Sequence, residues 1–409
     1  MKISTLAITF ASGIAGTAAE SNCGQIPCLN FDPVDQYVDV SSATGHQFIA
    51  PGATDIRGPC PGLNAAANHG YLPRNGITTL QQSIVGLGQA FNFGTDLATA
   101  LGIVAVIQAG NVIEETWSIG GPYYPSSIAG LLGGNPRGIS YSHNRYEADA
   151  SFARSDAYTN FGDAHSLNMA KFQHFYNLAY NDTYNISATR DHGAWNRAQS
   201  VSNNPYFFSP PFAGFVASVA HPFVVNMFSN HSAEQPNGYL DRATLKSFFG
   251  VSGPDSALVW NKGQERIPNN WYRRPSSNPY TLASGVLDTL ANLRAYPDSF
   301  RVGGNTGTVN SFAGVDLGNL TGGTYNLANL VEGNNLVCFA IQAMQLSMPD
   351  AISGIVGDLA TVLAWATKLL TPILTKLSCP ELAGYDTSLF EKFPGSGYNP
   401  PTGKAEPFK

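Results

Sequence analysis

Apolar residues recur every three to four positions in several separate stretches of the chain, which is the period of an α-helix with one buried face. Polar residues suited to capping a helix precede two of these stretches: Thr78 and Thr79 stand before the first, and Thr95 stands before the second. The pattern predicts helices over residues 80–91, 97–108, 166–180, 215–228, 241–249, 336–346 and 351–377.

Two long segments show little helical period. Residues 119–145 contain Gly-Gly, Gly-Pro and Asn-Pro pairs, and residues 252–330 are rich in Gly, Asn, Pro and Ser. Such composition is typical of loops. Because no internal repeat or low-complexity linker divides the chain, we expect one mainly α domain with long loops over residues 20–393, followed by a tail over residues 394–409.

The N-terminus has the three parts of a secretory signal. Lys2 precedes an apolar stretch from Ile3 to about Gly16, and Thr17-Ala18-Ala19 offers small residues for cleavage. A membrane anchor is the alternative, but the apolar stretch is shorter than the ~20 residues that a spanning helix needs. We therefore expect residues 1–19 to be a signal peptide and the protein to be secreted and extracellular.

The predicted helix over residues 351–377 is apolar enough to suggest a second membrane segment. Asp358 and Lys368 interrupt its apolar run, and Pro372 would kink it. These residues favour an amphipathic helix that packs on the protein over one that crosses a bilayer.

Composition and charge restrict the partners. Of the 409 residues, 43% are apolar and only 12% are charged, while Gly (42) and Pro (26) are frequent. Few charges and many loop residues suit an extracellular protein better than a cytosolic one. The net charge is −6 and no basic run occurs, so we expect neither nucleic acid nor an anionic membrane as a partner.

Four sequons follow the expected signal peptide, and together they predict glycosylation at surface positions. The acceptor residues are Asn181, Asn185, Asn230 and Asn319.

An odd number of cysteines remains in the expected mature chain. Cys23 and Cys28 are close enough to staple its N-terminus, and Cys338 and Cys379 could close a loop around the last helices. This pairing leaves Cys60 over. A leftover thiol in a secreted protein is either reactive, intermolecular or a metal ligand, and counting alone does not choose among the three.

The segment around Cys60 has a distinctive pattern. It reads PCPGLNAAANHGYLPRNG over residues 59–76, so the cysteine stands between two prolines and before an Ala-rich helical run. Pro61 suits the first position of a helix. The N–H groups and dipole of a helix N-terminus lower the pKa of a thiol placed there. A buried, inert cysteine is the alternative.

Residues 59–76 resemble the proximal signature of the haem-thiolate peroxidases, the family of fungal chloroperoxidase and the unspecific peroxygenases. The resemblance is clear over roughly residues 55–250 and looser beyond, although the spacing of Cys338 and Cys379 is similar to a C-terminal disulfide of the long peroxygenases. Further matching stretches are FNF at 91–93, SHNRYEADAS at 142–151, RSD at 154–156, NPYF at 204–207 and SFF at 247–249.

The resemblance implies haem b as cofactor, with Cys60 as the axial thiolate ligand that favours cleavage of the peroxide O–O bond. It also implies that Glu147, Asp149 and Ser151 hold Mg²⁺ beside a haem propionate, since hard oxygen ligands suit this ion. Their spacing requires an extended turn and not a helix if all three are to face one side. A solvated acidic loop is the alternative.

The distal side of the expected haem site departs from the family. Cleaving peroxide needs a group that takes one proton and returns it, for which long peroxygenases use a Glu with an Arg seven residues before it. A gapless register puts Ala220 at the Glu position and Ala213 at the Arg position. The nearest titratable side chain is His221, one residue on, which we take as the candidate base although that step turns it by ~100° on a helix.

Three aromatic residues match positions that line the family's substrate path: Phe93, Tyr146 and Phe223. They would favour apolar or aromatic substrates, whereas ordinary core packing is the alternative for each.

The sequence therefore predicts a secreted haem-thiolate peroxidase or peroxygenase, monomeric or homodimeric. It would use hydrogen peroxide to hydroxylate, couple or halogenate small apolar or aromatic molecules. A haem-binding member with weak or narrow biosynthetic activity is the alternative, motivated by Ala220 and Ala213. A secreted protein without haem is a third possibility.

Overall fold

A computed structural model describes residues 21–128, 130–133, 136–352 and 359–397. The protein is mainly α, with 43% of the structure helical, which confirms the predicted fold class. The α-helices are α1 (Pro33–Gln36), α2 (Pro61–Asn68), α3 (Leu80–Phe91), α4 (Thr95–Ala109), α5 (Met169–Tyr176), α6 (Ile186–Asn203), α7 (Pro211–Phe228), α8 (Arg242–Phe249), α9 (Leu282–Ala295), α10 (Leu317–Leu320), α11 (Asn335–Ile352) and α12 (Leu359–Leu377).

The strands are short and form small antiparallel sheets at the edges of the helical body. They are β1 (Ile77–Thr79), β2 (Thr116–Ser118), β3 (Thr183–Tyr184), β4 (Phe208–Ser209), β5 (Leu240–Asp241), β6 (Val251–Ser252), β7 (Val259–Trp260), β8 (Gly303–Gly304) and β9 (Ala313–Gly314). The pairs are β1 with β2, β3 with β5 and β6 with β7, and β8 lies between β4 and β9.

Several predicted helices are confirmed, some with shifted ends. The side chain of Thr79 caps α3, and Gln82 completes a capping box with it. The helix predicted over residues 241–249 is α8, and Asp241 is its N-cap, with its side chain accepting from the N–H of Thr244. The apolar helix predicted from residue 215 begins earlier as α7, because Pro211 is well suited to the first helical position.

Four helices lie where none was predicted: the short α1 and α10, and the longer α6 and α9. The mostly polar α6 has no strong apolar face, so its pattern resembles that of a loop. The prediction of little helical structure over residues 252–330 is wrong for α9, which Thr281 and Ser284 start with a reciprocal capping box. Its apolar residues Leu282, Val286 and Leu290 are buried at helical spacing.

The core lies around α4, α7 and α11, with α3 and α6 packed on this group. Of the helices described, α7 is long and apolar enough to cross a bilayer, yet 78% of it is buried inside the fold, as in a core helix. The described side chains of α12 agree with the amphipathic interpretation, since Ala366 and Leu370 are buried and Lys368 is exposed.

Both expected disulfides are present. Cys23 pairs with Cys28 near the N-terminus, and Cys338 in α11 pairs with Cys379 after α12. Cys60 is therefore the free cysteine, as the counting argument suggested. The expected signal peptide and residues 398–409 of the expected tail lie outside the described residues.

Candidate functional site

Cys60 lies at the N-cap of α2, directly before Pro61, in the wall of a cavity of about 210 Å³. The backbone N–H groups of Gly62 and Leu63 point at its sulfur, as the first free donors of a helix do. These donors favour the thiolate. Burial acts in the opposite direction and is the stronger effect, so the pKa of the Cys60 thiol is raised and not lowered as predicted from the helix position alone. A bound cation would reverse that balance.

Long-range hydrogen bonds hold the loop before Cys60. The side chain of Asn64 accepts from the backbone N–H of Gly58 and donates to its carbonyl, both at 3.0 Å. Asn64 also donates to Oε1 of Glu265 at 2.9 Å. Gly58 is required here, because a Cβ would lie 2.0 Å from the carbonyl oxygen of Ile119. The sulfur is thus carried by a fixed loop.

Arg154 supports the same loop from the opposite segment. Its Nε donates to the carbonyl of Pro59 at 2.8 Å, and burial lowers the pKa of its guanidinium to about 10. Sequence reasoning assigned no role to Arg154 or to Glu265. Neither has a local pattern that could have revealed it, because their partners are 95 and 201 residues away.

One face of α7 forms the wall that α2 and Cys60 share. The residues on this face recur at helical spacing and all are apolar: Val216, Ala217, Ala220, Phe223, Val224 and Met227. Ala220, at the predicted position of the missing glutamate, thus faces the cavity. Ala213 does not line it and packs against Ala148 and Ala217 in a tight cluster of three alanines.

The three predicted channel aromatics come together in this wall. Phe93 and Phe223 meet edge to face with ring centroids 5.6 Å apart, and Tyr146 lies in the same lining. Burial raises the pKa of Tyr146, so its phenol stays protonated and able to donate a hydrogen bond.

His221 is on a different face of α7 from Ala220. It is not among the residues that line the large cavity in the described chain, and it borders a separate cavity of about 30 Å³. Its Nδ1 donates to the carbonyl of Ala217 at 2.9 Å, and burial lowers its pKa to about 4, so it is neutral. This position gives no support to its predicted role as distal base.

The predicted metal ligands Glu147, Asp149 and Ser151 do not all border the same cavity. The segment is not helical, but Ala150 takes a left-handed φ of 59°, which changes the direction of the chain, so the three residues do not face one side as in the predicted extended turn. Glu147 and Ser151 line the large cavity, whereas Asp149 lines the small one. Oε1 of Glu147 is buried without a hydrogen-bond partner, which suits a cation at this edge. Both oxygens of Asp149 accept instead, from Ala157 N and from Asn204 Nδ2 at 3.1 Å each.

His143 belongs to the same group, although sequence reasoning gave it no role. Its Nδ1 lies 3.0 Å from Oε2 of Glu147, and its Nε2 lies 3.8 Å from Oδ1 of Asp149. Burial would lower the pKa of His143, but the two carboxylates outweigh it and raise the pKa to about 9. The interval of four residues between His143 and Glu147 was the available signal.

A comparison with known families decides the relationship. Residues 46–276, more than half of the chain, match the family described as "Peroxidase, family 2". The chain belongs to this peroxidase family. It is therefore an oxidoreductase of the peroxidase and peroxygenase type, and membership implies a haem cofactor and hydrogen peroxide as co-substrate.

Relatives of the family 2 peroxidases extend the match over most of the chain. The chain is 42% identical over 372 residues to the dothistromin biosynthesis peroxidase dotB of Dothistroma septosporum, covering 90% of this chain and 88% of that protein. It is 38% identical to the aromatic peroxidase fscJ of Fusarium equiseti, covering 91% and 88%. An aromatic peroxygenase of Cyclocybe aegerita is 31% identical, with 64% of each chain covered.

The residues present fit the haem that family 2 implies. The large cavity is walled mainly by apolar side chains, as a haem pocket needs, and the free thiol of Cys60 stands in its wall. The unpaired oxygen of Glu147 lies at the same cavity and leaves a ligand position for a cation.

Proposed function

We propose that the protein is a secreted haem-thiolate peroxidase or peroxygenase that oxidises small aromatic or apolar molecules with hydrogen peroxide. The observation that carries the proposal is the free Cys60 at the N-terminus of α2, in the wall of the large apolar cavity. When bound, the haem iron supplies the site at which the O–O bond of peroxide is cleaved.

Cys60 would hold the haem iron through its thiolate. The N–H groups of Gly62 and Leu63 would keep their direction toward the sulfur and moderate its donation of charge to iron. Asn64 and Arg154 hold the loop that carries the sulfur, so its position changes little when the ligand binds.

Glu147 and Ser151 would hold Mg²⁺ beside the haem, together with a propionate. The unpaired Oε1 of Glu147 supports its role, and both residues line the same cavity. Asp149, the third predicted ligand, would act by positioning. Its carboxylate anchors the turn through Ala157 and Asn204.

Proton transfer to peroxide would not come from α7. Ala220 faces the cavity and has no proton to give, and His221 borders the small cavity. The described wall contains other side chains that carry or accept a proton: Ser83, Trp117, Tyr146, Glu147, Ser151 and Arg154. Of these, Tyr146 is the one at a position predicted to line the substrate path. We propose that the Tyr146 hydroxyl orients peroxide by a hydrogen bond while water moves the proton.

The aromatic wall would select the substrate. Edge-to-face rings at Phe93 and Phe223 favour flat aromatic molecules, and the Tyr146 hydroxyl adds one polar contact. The relatives named as a biosynthesis peroxidase and an aromatic peroxidase support this substrate class.

A second candidate function is a narrow biosynthetic oxidation with weak activation of peroxide. The alanine at position 220 favours it, because the α7 residues in the cavity wall can contact a substrate but include no acid–base group.

Secretion is supported by the two disulfides, which form and persist in oxidising compartments. Three of the four predicted glycosylation sites, Asn181, Asn185 and Asn319, are exposed. Asn230 is half-buried and its amide donates to the Tyr239 hydroxyl at 3.2 Å, so we propose glycans at the other three only.

The test is the spectrum of the protein expressed with ample haem. We expect the shifted Soret band of a ferrous carbonyl complex with a thiolate ligand, and we expect Cys60→Ser to lose that band while it keeps its fold. Peroxide-dependent oxidation of a small phenol should accompany the band. A purified protein with neither a Soret band nor turnover of phenol would contradict the proposal.

A further inference from the structure

A chain of aromatic rings connects the large cavity with the protein surface at α5 and α6. Phe152 lines the cavity, and its ring centroid lies 4.7 Å from that of His192 in α6. The next ring is Trp195, whose centroid is 5.6 Å from His192. Trp195 also stacks on His174 of α5, with centroids 3.6 Å apart and ring planes 6° apart. Trp195 is therefore two ring contacts from the cavity wall.

Hydrogen bonds fix these rings. Nε2 of His192 donates to the carbonyl of Phe152 at 2.6 Å, which leaves its Nδ1 as an acceptor. The Nδ1–H of His174 is then the donor in the 2.9 Å contact between the two imidazoles. Because both ring nitrogens of His192 are hydrogen-bonded, its ring is held in one orientation relative to Phe152 and His174.

Trp195 is one of three tryptophans that are partly exposed in the described part of the protein, with Trp260 and Trp365, and it is the one in ring contact with this path. It is partly exposed, and its indole N–H has no hydrogen-bond partner in the described part of the protein. By contrast, Trp117 lies buried in the cavity wall and Trp271 is buried in the core. An indole gives up one electron more readily than Phe or His rings, so Trp195 is the position along this path where a charge would rest.

The same cavity would hold the haem, and Phe93, Phe223 and Tyr146 stand in its wall, so a bulky substrate would compete with these groups for space. The following inference rests on the proposed function. We propose that Trp195 is a second oxidation site, which takes single electrons from bulky phenols that cannot enter the cavity. The rings of Phe152 and His192 provide the path for electron transfer between Trp195 and the cavity.

The electrons and protons balance with peroxide as the oxidant. Each hydrogen peroxide takes up two electrons and two protons and leaves as two water molecules. In one step Trp195 gives an electron toward the haem site that peroxide has oxidised, and its N–H proton goes to solvent. A phenol at the surface then returns one electron and its O–H proton to Trp195 and becomes a phenoxyl radical. Two phenols are consumed for each peroxide.

The test uses the haem-loaded protein and two single variants, Trp195→Phe and the control Trp260→Phe. Trp260 is also partly exposed, but no ring contact links it to the cavity wall in the described chain. The substrates are one phenol in two forms, free and attached to a long polyethylene glycol chain. We expect Trp195→Phe to oxidise the attached phenol at least about tenfold more slowly and the free phenol at the normal rate. Trp260→Phe should change neither rate.

A second readout does not depend on turnover. Treated with peroxide in the absence of phenol, the wild-type protein should gain oxygen at Trp195 by peptide mass spectrometry, in excess of Trp260 in the same sample. Equal rates of the Trp195→Phe and wild-type proteins with the attached phenol, or oxidation of Trp260 in preference to Trp195, would overturn the second site while the free-phenol rate still supports the proposed function. Loss of the thiolate Soret band and of free-phenol turnover in the wild type would overturn both.

Discussion

Arg154 donates a hydrogen bond from Nε to the carbonyl oxygen of Pro59, 2.8 Å away. This bond connects the segment that follows Glu147 and Ser151 to the residue before Cys60. The proposed metal site and the cysteine loop are therefore the two halves of the site that Arg154 holds together. Arg154 is buried and Pro59 is half-buried, so the bond is partly shielded from water.

Replacing Arg154 should therefore disturb both halves. We expect Arg154→Ala to lower the free energy of unfolding by about 2 kcal/mol, because the Pro59 carbonyl loses a charged donor, and to weaken haem retention. Denaturant titration and the ratio of Soret to protein absorbance measure the two effects. Arg294→Ala, a change at an exposed arginine of α9, is the control and should alter neither.

A carboxylate at position 220 should restore the missing acid–base group. Ala220→Glu faces the cavity and should raise peroxide-dependent turnover of a small phenol by about 100-fold, the lower end of what a positioned base contributes. Ala220→Gln has the same shape without the titrating group and should give no gain. Equal rates for the two variants would show that position 220 is not where the proton is handled.

Glu147 and Asp149 should respond differently to loss of their charge. Glu147→Gln should lower the Mg²⁺ content of the purified protein, measured by elemental analysis, because its free oxygen is the proposed ligand. Asp149→Asn should keep the metal and lower the melting temperature, because it disturbs the bonds from Ala157 and Asn204. Loss of Mg²⁺ from Asp149→Asn but not from Glu147→Gln would show that Asp149 is a metal ligand.

The two disulfides should differ in their effect on stability. By loop length, removing the Cys338–Cys379 bond, with a separation of 41 residues, costs about 4 kcal/mol. Removing Cys23–Cys28, with a separation of 5, costs about 2 kcal/mol. Denaturant midpoints of the two double Cys→Ser variants, without reductant, compare the losses directly. Equal midpoints would mean that the C-terminal loop is already ordered in the unfolded chain.

Acid should destabilise the fold through His69. Its Nδ1 donates to the His46 carbonyl and its Nε2 accepts from the N–H of Ile267, so only the neutral ring satisfies both bonds. Burial lowers its pKa from 6.5 to about 4. The unfolded chain therefore binds the proton first, and stability that is complete above pH 6.5 is lost as pH falls toward 4.

The loss from this one residue is at most about 3 kcal/mol. Stability measured at pH 7, 5.5 and 4 should fall less steeply in His69→Gln, whose amide keeps one donor and one acceptor. Parallel curves for the variant and the wild type would rule out His69 as the source of the acid sensitivity.

Local patterns were sufficient for several elements. The capping residues Thr79 and Asp241 and the proline at position 61 act on neighbours within one helical turn, so α3, α8 and α2 could be predicted from sequence. Helix α6 could not, because its stability comes from packing against α7 and α5 and not from its own apolar pattern.

By itself the sequence determined the helical class, the free status of Cys60 and the place of that cysteine before a helix, since each follows from composition, counting or adjacent residues. The tertiary structure decided the rest of the site. It raised the pKa of Cys60 through burial, directed Asp149 away from Glu147, and placed His221 at the small cavity and Ala220 at the large one. These outcomes depend on which distant segments enclose each side chain, and no local pattern records that.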